Sequence, residues 1–198
     1  MPNSDSRGGE CHVATVSSPV EWDSNSLAIR KDMVILPPPY ADMGSHRWTA
    51  LYLVTPPLPA EIPAVRFDIT SHDQGWCSDP QSGVWSWFEV SILRPITQDV
   101  NATRDHVPQI TDLKSCPEDF TEVLQAQGLF FRTLPTNDEP GPGLHQVTQP
   151  LVRNRINRAW QSHTIIWRVG NLSEDGEGLL DLVQSGDRLA VWARAEVN

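Results

Sequence analysis

Hydrophobic and polar residues alternate with a period of two along several short runs, the pattern of strands that bury one face and present the other. In the run 64–70, Val65, Phe67 and Ile69 alternate with Arg66, Asp68 and Thr70. From Val84 onward, Phe88, Val90 and Ile92 fall with Val84 on one face, while Trp85, Trp87, Glu89, Ser91 and Leu93 fall on the other. Both faces carry apolar mass, which predicts a central strand. Near the end of the chain Leu189, Val191 and Ala193 oppose Ala190, Trp192 and Arg194, predicting another.

Proline punctuation delimits the earlier runs. Residues 27–36 stop at Pro37-Pro38-Pro39, and residues 48–54 stop at Pro56-Pro57. Because proline cannot donate to a central ladder, these read as strands closed by rigid loops. Further strands are expected in LFFRTL (129–134), HQVTQPLVRNRI (145–156) and HTIIWRV (163–169), with a polar turn after Gln161 and a loop from Asn171 to Gly178. A polar turn from Ser71 to Gly83, an irregular connection over 95–117 and a loop from Thr136 to Gly143 complete the punctuation.

One segment has helical grammar. Pro117 suits the first helical position, Glu118 and Asp119 follow it, and Gly128 can end the element, which predicts one short helix near 117–127. GLLDLVQSGD (178–187) reads either as a short helical turn or as a tight bend ending at Gly186-Asp187. No fixed repeat recurs, so a solenoid or propeller is not expected. The expected fold is all-β: an antiparallel β-sandwich of jelly-roll type, with a flexible lead over 1–10 and a single domain over 11–198.

Composition sharpens this picture. The chain has 198 residues, enough for one sizeable core, and its 17 Pro and 12 Gly fit many connections. Eight Trp are a heavy load for this length, and each buries a large area while wanting a partner for its indole N–H. A net charge of −10 argues against nucleic acid as a partner, since phosphate neutralisation needs clustered Lys and Arg. Arg153, Arg155 and Arg158 form a local exception, read either as a group that pairs with carboxylates or phosphate or, by preference, as a solvated strand edge. No run approaches the ~20 apolar residues of a membrane span, and the first ten residues lack a signal-like apolar segment, so a cytoplasmic protein is expected.

The candidate chemistry is sparse. The three cysteines, Cys11, Cys77 and Cys116, show no CxxC or Cys-His spacing and read as free thiols. The six histidines are scattered singly, so no metal and no cofactor is expected; His163 shares a face with Ile165 and Trp167 and reads as a satisfied imidazole at the core edge. No serine sits in a GxSxG elbow, and no catalytic residue is assigned. A carboxylate pair among Asp73, Asp79 and Glu89 depends wholly on spatial separation. The densest polar cluster is the turn Ser71-His72-Asp73-Gln74-Gly75-Trp76. It reads either as a structural turn, with Asp73 in an Asx turn and Trp76 covering the core end, or as a ligand-contacting loop.

Together SHDQGW, VWSWFEVSILRP, the 154–163 stretch and GDRLAVWARA resemble a family of fungal β-sandwich domains, found beside ankyrin repeats or alone. The resemblance spans about 65–195 and implies a galactose-binding-like jelly roll. Two departures stand out: the segment after DQGW is short and polar where an aromatic turn is expected, and the chain stops at Asn198, short of a further Gly-Trp strand. The resulting expectation is a non-catalytic module that binds a small molecule, glycan or protein through His72, Asp73, Gln74, Trp76, Trp85 and Trp87. The competing class is a small enzyme acting on a hydrophobic metabolite or glycan, with His72 and Asp73 as its acid–base groups.

Overall fold

The computed structural model describes residues 11–15, 32–35, 47–72, 86–96, 110, 112–133, 147–155, 159–170 and 178–196, the first two segments as backbone only. These residues form nine strands: β1 Cys11–Thr15, β2 Asp32–Ile35, β3 Arg47–Val54, β4 Ala64–Ser71, β5 Ser86–Pro95, β6 Leu129–Phe131, β7 Gln149–Arg153, β8 Gln161–Arg168 and β9 Arg188–Glu196. The one α-helix among the described residues, α1 Thr121–Ala126, follows a 3-10 turn at Pro117–Phe120. The fold is therefore mostly β, as the alternating runs predict.

The strands make two antiparallel sheets, one in the order β2-β1-β4-β8 and one in the order β3-β9-β5-β6, with β7 pairing to β5. β5 is central, as its two apolar faces predict: it pairs with β9 along one side and with β6 and β7 along the other. The two sheets share one core. Ile69 and Trp167 from the first sheet cluster with Tyr52, Phe88, Val90, Ile92, Leu189 and Val191 from the second, and Val65, Phe67 and Ile165 pack against them.

The outer face of the second sheet is also buried at one end. Phe120 and Leu124, one helical turn apart, are fully buried with Leu93, Leu129 and Trp192. Each such side chain contributes roughly 1.5–3 kcal/mol. The Trp192 ring lies 5.1 Å from Phe120 and 5.7 Å from Phe131, and its indole donates to Ser91 Oγ at 2.8 Å. The predicted helix start holds, with the Asp119 carboxylate accepting the N–H groups of Ser115 and Cys116. Gly128, at φ +75°, ends the element as expected.

Three boundaries differ from the sequence reading. The strand in LFFRTL covers only Leu129–Phe131, and that in HQVTQPLVRNRI only Gln149–Arg153. The expected turn after Gln161 is absent: β8 already begins there, pairing Gln161 with Ser71. A cross-strand partner decided this, because Gln161 and Ser162 are polar and carry no strand signal of their own. Residues 178–187 make both expected features, a 3-10 turn at Leu180–Leu182 and a tight bend with Gly186 at φ +89°. The lead over 1–10, the loop over 136–143 and most of the 71–83, 97–109 and 171–178 connections lie outside the described residues.

Candidate functional site

β4 and β8 run antiparallel without a register break, so their outward side chains form a ladder of facing pairs. Thr164 Oγ1 donates to Asp68 Oδ1 at 2.8 Å, and the Thr70 and Ser162 hydroxyls lie 3.2 Å apart. Arg66 Nε and Nη2 also donate to Asp68 Oδ1, at 3.0 and 2.7 Å. One step beyond the Ser71–Gln161 pair the ladder ends in an aromatic contact: His72 meets Trp160 edge to face, with ring centroids 4.4 Å apart and an interplanar angle of 84°. Trp160 is 56% exposed, the most exposed of the large apolar side chains described. A row of hydroxyl, carboxylate and guanidinium groups thus leads to an open indole.

Behind this row the sheets are tied together. Ser71 Oγ donates to Asn154 Oδ1 at 2.5 Å, and Asn154 Nδ2 donates to Ser86 Oγ at 3.0 Å. All three residues are buried. They join the end of β4, the end of β7 and the start of β5, so the segment between Ser71 and Ser86 leaves and re-enters at one fixed point. The Gln161 side chain closes the neighbouring connection, accepting from the Arg155 N–H at 3.3 Å and donating to the Arg155 carbonyl at 3.0 Å. Trp160 therefore stands on a braced bend.

The sequence-predicted site residues divide. His72 lies at the aromatic end of the β4–β8 face. Trp87 lies on the outward face of the second sheet, across the shared core: its indole donates to Glu89 Oε1 at 2.7 Å, and the Arg194 guanidinium sits 5.0 Å from its ring centroid. Arg194 Nη1 donates to both Glu89 oxygens at 2.9 Å. Trp87 is thus built into an ion-pair cluster, and Glu89, a candidate carboxylate, is spent within it. Asp73, Gln74, Trp76, Cys77, Asp79 and Trp85 lie outside the described residues.

Sequence reading missed Trp160, Asp68, Thr70, Ser162 and Thr164 as one group. Their polar alternation was visible, but only the β4–β8 register shows that the two polar rows face the same way. His163 also departs from expectation: its Nε2 is buried without a hydrogen-bond partner. Burial, together with the Arg155 charge, pushes its pKa below the usual histidine value. The Cys116 thiol is pushed up to about 11, first by burial and then by a hydrogen bond to Glu118, so it is a poor nucleophile.

Between the sheets lies an apolar cavity of about 110 Å³, lined mainly by Tyr52, Phe67, Ile69, Phe88 and Val191. It is smaller than the ~300 Å³ at which ordinary ligand pockets begin. Among the described residues no cluster of three potential metal ligands occurs, and no helix is long and apolar enough to cross a membrane. Comparison with protein-family models, curated proteins and solved structures finds no match to this chain.

Proposed function

We propose that the chain is a non-catalytic binding module, a jelly-roll β-sandwich akin to the galactose-binding-like fungal domains, that takes a glycan on the outward face of β4 and β8. The observation that carries this is the exposed Trp160, braced edge-on by His72 at the end of a row of hydroxyl and carboxylate groups. Sugars present apolar C–H faces that stack on an indole, while their hydroxyls need the donors and acceptors that the ladder supplies. An open, outward-facing surface suits recognition better than chemistry, because it neither excludes water nor concentrates a field on a reacting atom. The paired state of Glu89 and Arg194, and of Arg94 with Asp187, favours the same reading, since these charges are committed to the fold.

A glycan array probed with purified protein tests it, comparing wild type with Trp160→Ala and Ser162→Ala after circular dichroism confirms folding. Binding by wild type, weakened about tenfold or more by Trp160→Ala as for a removed aromatic anchor, is the expected result. Absence of any glycan signal in wild type, or a signal indifferent to Trp160→Ala, would overturn it.

A further inference from the structure

Among the described residues β8 is an open sheet edge, and the other edges are guarded. β3 carries a bulge at Tyr52, and Thr49 exchanges two backbone hydrogen bonds with Lys114, at 2.7 and 3.1 Å, so a passing segment already occupies part of that edge. β2 has four residues, β6 has three, and the five-residue β7 contains Pro150. Short strands, bulges, proline and covering segments are the devices that keep sheet edges from pairing with other chains. Among the described residues β8 has none of them. It runs for eight residues, QSHTIIWR, in unbroken register with β4, and no second ladder is described along its other side. Three of the four exposed large apolar side chains described, Trp160, Ile166 and Val169, lie on it or flank it.

We infer that β8 pairs with β8 of a second copy of this chain, antiparallel across a local two-fold axis at Ile165, joining two four-stranded sheets into one. In that register Thr164 faces Ile166 of the other copy and Ser162 faces Arg168, while Ile165 meets its own counterpart. Such a self-pairing sets no like charges opposite each other, because Arg168 is the only formal charge in the strand and the chain's excess of acids lies elsewhere. The same register sets the inward-facing His163 opposite the inward-facing Trp167, so the core-side row continues across the axis as the outer row does. A single strand pair buries less than the ~1,200 Å² of a standard interface, so the dimer is weak and dissociates on dilution.

Sedimentation-velocity runs over a concentration series test this on the full chain, alongside hydrogen exchange of the β8 amides. The expected result is a reversible monomer–dimer equilibrium in which protection of alternate β8 amides rises with concentration. T164K/I166K alters only exposed side chains and sets lysine against lysine across the axis. It should weaken dimerisation by about tenfold or more while leaving the monomer's near-UV spectrum unchanged. T164C/I166C should in turn yield a covalent dimer on mild oxidation. A wild type that stays monomeric at every concentration overturns the inference and leaves the edge to an extended segment of a different protein. A dimer unaffected by T164K/I166K overturns it as well, placing the contact elsewhere.

Discussion

Ser71 donates a hydrogen bond to Asn154 through its buried hydroxyl, at 2.5 Å, and so fixes the end of β4 in one sheet to the end of β7 in the other. The Asn154 amide goes on to Ser86, so one side chain gathers both ends of the 71–86 segment. Replacing Asn154 with Ala takes the acceptor from the Ser71 hydroxyl and one donor from the Ser86 hydroxyl in a dry setting. The expected loss is about 2–3 kcal/mol, since buried groups left unsatisfied cost their desolvation in full. Urea unfolding of Asn154→Ala checks it, and Ser71→Ala, which removes a single donor, should cost less.

Glu89 and Arg194 form the second brace. Their side chains are only 11% and 13% exposed, and Trp87 donates to the same carboxylate. Removing one partner leaves the other buried and uncompensated, so Glu89→Ala should destabilise by roughly 3 kcal/mol, and Arg194→Met by a similar amount. A double-mutant cycle should recover much of the loss when both are replaced by apolar residues. Near-additive single losses would contradict the coupling.

His163 makes stability depend on pH. Burial and the Arg155 charge lower its folded pKa below the ordinary histidine value, so the unfolded chain takes up the proton more readily. The associated stability is complete above the unfolded pKa, near 6.5, and drains away as pH falls through the lower folded value. The difference in urea midpoint between wild type and His163→Phe, followed from neutral to mildly acidic pH, should shift in favour of the variant as pH drops. A constant difference would show that His163 does not titrate differently on folding.

Cys116 should be chemically quiet. With its pKa raised to about 11, a small fraction is thiolate near pH 8, and thiolate is the reacting form. In a Cys11→Ser, Cys77→Ser background, labelling by an aromatic disulfide reagent should run well over tenfold slower than for the same chain in denaturant.

Much of the architecture is legible from residues alone, and the reason is local. Alternation in 64–70, 86–93 and 189–194 decides which side chains face the core, because strand geometry sends successive residues to opposite faces whatever the partner. The helix at 117–126 is equally local, set by Pro117, its acids and Gly128. The site was less accessible. His72 stood out within a dense polar turn, yet its aromatic neighbour Trp160 sits in a stretch with no strand pattern, and a turn expected after Gln161 separated it from β8.

Residue order alone therefore sets the period, the faces and the stops of individual elements. The tertiary structure alone decided which faces meet: that Trp87 turns to Glu89 and Arg194 on one outer face, and that His72 reaches Trp160 on the other. Pairing between β4 and β8 joins residues far apart in the chain, and its register follows from the summed packing of Val65, Phe67 and Ile69 against Ile165 and Trp167. No short window of sequence contains that sum.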